Sequence, residues 1–124
     1  MEVDLNSSLK TKGEVESALC DAVSGFYREH FGHGPKDIQA SLVGRMALVH
    51  LRGGTSRYER NMGSELLKSV RERVISSARQ VLLDAVRDAG LDAEYVFYDL
   101  SAATNDEVMV FSLEREPVLR VRRF

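Results

Sequence analysis

Apolar positions in the first third of the chain recur with the period of a helix. Val15, Leu19, Ala22, Val23, Phe26 and His30 share one face, while Glu16, Asp21, Ser24 and Arg28 point away from it. That is the pattern of an amphipathic helix packed on a partner layer. Thr11 and Glu14 stand at capping-box spacing, which places the helix start near Lys12. The stop is expected at Gly32-His33-Gly34-Pro35, where glycine accepts a left-handed helix end and proline biases its predecessor away from helix. Within this turn, Gly34 is the candidate for backbone angles closed to other residues.

From Lys36 to Arg52 the period changes to two. Ile38, Ala40 and Leu42 alternate with polar residues, and Met46 and Leu48 alternate with Ala47, Val49 and Leu51. The turn at Gly44-Arg45 is too short for anything but an antiparallel hairpin. After Gly53-Gly54, Ser56 and Glu59 repeat the capping-box spacing, and Gly63-Ser64 can break the helical region that follows. Glu65 to Ala89 reads as one long helix with Leu67, Val70, Val74, Ala78, Val81, Leu82 and Ala85 as its apolar stripe. The arginines at 71, 73, 79 and 87 fall mostly off that stripe. Such a helix would be about 37 Å long, enough to cross a four-stranded sheet, with Gly90 at its end. Glu94 to Leu100 and Glu107 to Leu113 are rich in aromatic and β-branched residues and form a second hairpin. The expected fold class is therefore α+β, in the order helix-strand-strand-helix-strand-strand. Its four-stranded, mostly antiparallel sheet carries two helices on one face.

Composition agrees with one domain. The 124 residues are 44% hydrophobic and 29% charged, enough for a core and unlike a disordered chain. We expect a flexible tail over 1–10, a single domain over 11–113 and an Arg-rich tail over 114–124. Cys20 is the only cysteine, which excludes an intramolecular disulfide and fits a reducing cytoplasm. The first twelve residues lack the basic start and apolar run of an export signal. The longest strictly apolar run, Met46 to Val49, is far below the roughly 20 residues that span a bilayer as a helix. Nineteen acidic and seventeen basic residues leave a net charge of −2, so no overall field recruits nucleic acid or anionic lipid.

Candidate chemistry is sparse. His30 and His33 are close in sequence, but zinc takes three or four ligands and no third is suggested, so no metal is expected. Cys20 lacks a positioned base, the serines lack a nucleophile-elbow context, and the glycine-rich turn follows a helix where a phosphate loop would follow a strand. No cofactor and no catalytic residue are expected, and the chain is read as a non-enzyme. Three arginines in the last five residues form a weak basic patch. Tyr95, Phe97, Tyr98 and Phe111 are read as core aromatics before base-stacking ones.

Taken together, Phe31-Gly32-His33-Gly34-Pro35, Leu51-Arg52-Gly53, Ser56-Arg57-Tyr58-Glu59-Arg60-Asn61, Val70-Arg71, Asp99-Leu100-Ser101 and Val110-Phe111-Ser112-Leu113 resemble a bacterial family. That family is MpsC, formerly a domain of unknown function and named as the C component of a sodium-translocating, membrane-potential-generating system. The likeness runs from about Gly25 to Leu113. The family pattern usually has threonine and proline where this chain has Ser56-Arg57, and serine keeps the capping role. The resemblance implies a small accessory or regulatory protein that docks on membrane subunits from the cytoplasm, at the inner face of the membrane. Gly32, Gly34, Pro35, Glu59, Arg71 and Asp99 are the family-motif or partner-binding candidates. If Glu59, Arg71 and Asp99 converged in a pocket, an enzyme reading would gain ground. The alternative function is a nucleic-acid-binding module that uses the arginine tail and the strand aromatics. Finally, strands two to four are apolar on both sides, and two helices cover only one, so a homodimer through the open sheet face is expected.

Overall fold

The computed structural model describes residues 9–121, so the expected tail residues 1–8 and Arg122, Arg123 and Phe124 lie outside it. Helix α1 (Lys12–Phe31) starts at the capping box: Glu14 N–H donates to Thr11 Oγ1 and Thr11 N–H to Glu14 Oε1, both at 3.2 Å. It ends at Gly32, whose φ of +84° is the left-handed conformation that only glycine adopts at little cost. The special backbone in this turn therefore belongs to Gly32. Gly34 keeps ordinary angles, and a Cβ there would touch only the flexible Arg28 side chain, at 3.6 Å.

Strands β1 (Asp37–Val43) and β2 (Met46–Arg52) form the first hairpin. Short helix α2 (Arg57–Arg60) follows, then α3 (Ser64–Ser77), α4 (Arg79–Asp88) and the second hairpin of β3 (Ala93–Ser101) and β4 (Asp106–Leu113). All neighbours are antiparallel, in the order β1-β2-β4-β3, so the two hairpins meet along β2 and β4. The α+β fold is as the sequence indicates, with one correction. The region read as a single long helix is broken at Ala78 (φ −103°, ψ 16°) into α3 and α4. Ser76 and Ser77 precede the break, and serine competes with helical backbone bonds. The two segments also have different neighbours: α4 packs on α1 and β3, whereas α3 runs beside β3.

The apolar stripe of this region also differs from its sequence reading. Leu67, Arg71 and Ile75 are the buried residues of α3, and Leu82, Leu83 and Val86 those of α4. Val70 and Val81, assigned to the stripe, remain 39% and 52% exposed. The core lies between the helices and one sheet face, where Leu19 and Val23 of α1 and Leu82 and Val86 of α4 meet Val49, Met109 and Phe111. Residues 114–120, after β4, are held to the domain. Arg115 pairs with Asp92 at 2.8 Å, Leu119 packs against the core, and the Arg120 N–H donates to Lys10 O at 2.8 Å.

Candidate functional site

The most heavily charged interior point lies at the end of the sheet where β2 finishes and β4 begins. Arg71 is carried there by α3, one turn from Leu67 and one from Ile75, and has 0% of its surface exposed. A buried guanidinium is costly unless every donor direction is met. Here Nε and Nη2 donate to Glu59 Oε2 at 2.9 and 2.6 Å, Nη2 also donates to Gly54 O at 2.8 Å, and Nη1 lies 3.4 Å from Glu107 Oε1. Its Cζ sits 3.8 Å from the Phe31 ring centre, a contact in which aromatic π-density stabilises a desolvated cation.

Glu107 is equally enclosed. It occupies β4 in phase with Met109, Phe111 and Leu113, so strand alternation sends its carboxylate to the core side. Tyr27 and Tyr98 hydroxyls donate to its Oε1 at 2.8 and 2.6 Å. Burial, reinforced by the Glu107 charge, pushes both phenols well above the usual tyrosine range, so they act as fixed donors. Among the described residues Oε2 has no hydrogen-bond partner, and it lies against Gly54, where a Cβ would collide with it. Only glycine fits there.

Glu59 closes the other side of the cluster while capping α2. Its Oε1 accepts from Ser56 N–H at 3.0 Å, and its own N–H donates to Ser56 Oγ at 3.1 Å. Burial alone would raise this carboxyl, but the Ser56 amide and the Arg71 guanidinium together hold it below the ordinary glutamate value. His33 reaches it from the α1–β1 turn, with Nε2 at 3.4 Å from Oε1. The loop between β2 and α2 is fixed by Asn105, which adopts φ +55° in the β3–β4 turn. Asn105 O accepts from Gly53 N–H at 2.9 Å, and its side chain holds the amide, hydroxyl and carbonyl of Thr55.

Of the sequence candidates, Glu59 and Arg71 thus meet directly, and the turn of Gly32, His33, Gly34 and Pro35 borders them through His33. Asp99 does not join them. It stands on the opposite, open face of the sheet and pairs with Lys68 at 2.9 Å, a contact that lowers its carboxyl pKa. The three-residue convergence that would favour an enzyme reading is absent. Tyr98, read from the sequence as a core aromatic, joins the cluster through its hydroxyl, and Glu107, Tyr27, Gly54 and Asn105, which are not among the sequence candidates, complete it. Glu107 had a legible signal, a carboxylate two residues before an apolar alternation on the same strand side. Tyr27 follows Phe26 on the buried helix face and had none beyond its size.

The arrangement clamps α1, the β2–α2 loop, α2, α3 and β4 to one another around one cation. Among the described residues, no group of three or more His, Cys, Asp or Glu side chains is placed to hold a metal ion. His30 stacks on Phe26 at 4.2 Å, away from the role of His33. Burial, with Asp21, Glu16 and Asp37 nearby, raises the Cys20 thiol pKa and disfavours its nucleophilic thiolate. Two of the aromatics assigned to the core, Tyr95 and Phe97, stand on the open face with ring centres 5.0 Å apart.

A family model described as Na+-translocating membrane potential-generating system (MpsC) matches residues 11–115, which include every member of the clamp. No curated protein and no solved structure matches the chain.

Proposed function

The chain belongs to the MpsC family, and on that premise we propose that it is an accessory or regulatory binding component of a membrane system that moves sodium and generates membrane potential. The family match carries this reading. No helix among the described residues is long and apolar enough to cross a membrane, so the chain contributes by docking on integral subunits. It works in the cytoplasm at the inner membrane face, which the single cysteine favours. It acts as a homodimer. It binds without catalysing: Arg71, the strongest candidate for chemistry, has all its nitrogens engaged inside the protein.

Washed membranes from cells that express the integral subunits, incubated with the tagged chain, provide the test. Retention that depends on those subunits is expected. Equal retention by membranes that lack them would overturn the proposal.

The exposed pair Tyr95 and Phe97 gives the nucleic-acid reading one supporting observation, since adjacent exposed rings can stack bases. Against it, the same face carries Asp37, Asp99 and Asp106. Arg120 is also turned onto Glu14, at 3.0 Å. Filter binding at low salt separates the two readings, because phosphate contacts are strongest there; no retention removes the nucleic-acid reading.

A further inference from the structure

The open face of the sheet is divided into an apolar end and a charged end. Register aligns Val43, Met46, Ser112 and Tyr95 in one row across the four strands, and Ser41, Leu48, Val110 and Phe97 in the next. At the other end lies a row of Asp37, Arg52, Asp106 and Ser101. Val43, Met46, Tyr95 and Phe97 are exposed, Phe97 by 58%. Four strands at about 4.8 Å spacing and seven residues at about 3.3 Å rise give the face a projected area of roughly 440 Å². Accessible area exceeds this because side chains stand off the sheet. Two such faces in full overlap project roughly 880 Å², which side-chain relief brings toward the about 1,200 Å² of small stable interfaces, and a half overlap falls well short of it.

These observations discriminate between ways of stacking two copies. With strands of the two copies running in opposite directions, column order is kept and the apolar row would lie over the charged one, burying Asp37 against Val43 and Arg52 against Met46. Sliding the copies until only apolar rows overlap avoids this but leaves too little area. With strands running in the same direction about a two-fold axis parallel to them, column order reverses, so β2 faces the partner's β4. Apolar end then meets apolar end, with Leu48 facing the partner's Val110. At the charged end Arg52 comes within reach of the partner's Asp106, and the same contact is made twice by symmetry.

We propose that the open sheet face is a self-recognition surface on which a second copy stacks with its strands parallel to the first, oriented by Arg52 and Asp106. This rests on the homodimer reading above and specifies its geometry. Arg52 and Asp106 also pair within one copy, at 3.3 Å, so a double charge reversal in one chain could not tell the two contacts apart. Mixing two single variants can.

Arg52→Glu and Asp106→Arg are purified separately, their folds are checked by circular dichroism, and oligomers are followed by sedimentation and native mass spectrometry at about 150 mM salt, where longer-range charge effects are screened. Each variant alone is expected to dissociate at least about tenfold more readily than the wild type, since like charges then meet at the interface. Their mixture is expected to form heterodimers well above the share of about half that random exchange gives. Phe97→Asp, at an exposed position, is expected to abolish dimers while circular dichroism shows the folded monomer intact, its melting temperature losing only the concentration-dependent part that association supplies. A wild type that stays monomeric up to about 100 μM overturns both the homodimer reading and this geometry. A wild-type dimer that tolerates Phe97→Asp and shows no heterodimer preference overturns the geometry alone.

Discussion

At the residue scale, the clamp around Arg71 makes its members unequal to ordinary polar residues. Arg71→Met would leave Glu107 buried beside two tyrosines with no cation, and removing one partner of a buried pair typically costs about 3–5 kcal/mol. Urea denaturation should show that loss, with part of it recovered in Arg71→Met combined with Glu107→Leu, where the fully enclosed carboxylate is gone and only the part-exposed Glu59 lacks its cation. Gly54→Ala places a Cβ on Glu107 Oε2 in a packed interior and should destabilise by about 1–3 kcal/mol. Gly13→Ala, in a helix with open space around it, should instead stabilise by about 0.5–1 kcal/mol. The paired measurement tests close approach against backbone entropy. Tyr27 and Tyr98 give a pH signature. Their pKa values are raised in the folded state above the unfolded value of about 10. Their contribution is thus fully present below that pH and lost as pH rises through the folded values. Native protein should withhold these two phenolate signals at pH 10, and Tyr27→Phe with Tyr98→Phe should flatten the fall of stability above it.

At the element scale, what was legible in the sequence was local. Two capping boxes, the Gly44-Arg45 turn and the period-two strands act within a few residues, and each is found where its spacing puts it. What escaped depends on distant parts of the chain. Periodicity assigns an arginine to the solvent side, because burying one is costly; Arg71 is buried only because Glu59, Gly54 and Glu107 arrive from 12 to 36 residues away. Removing Arg71 from the stripe shifted its centre toward Val70 and Val81. The break at Ala78 was hidden for a related reason, since the periodicity continues through it while the helix axis changes neighbours. Ile75→Ala should therefore cost about 2–5 kcal/mol, and Val70→Ala, at a 39% exposed position, much less. Comparable losses from the two would restore the stripe first read from the sequence.

At the scale of the whole molecule, the two sheet faces divide the work. One buries the core and the Arg71 clamp, which fixes the relative placement of α1, α2 and α3 and so the shape that a larger partner would meet. The other displays an apolar end and a charged end, the surface on which the proposed second copy would stack. Family membership connects this small α+β domain to a Na+-translocating, membrane potential-generating system, and the proposed role is that of a docked component that the integral subunits need for full output. The most direct measurement is the steady-state membrane potential of cells in sodium medium, with the gene for this chain deleted and then restored. The account predicts a lower potential on deletion and recovery with the wild-type chain. An unchanged potential in the deletion strain would contradict it.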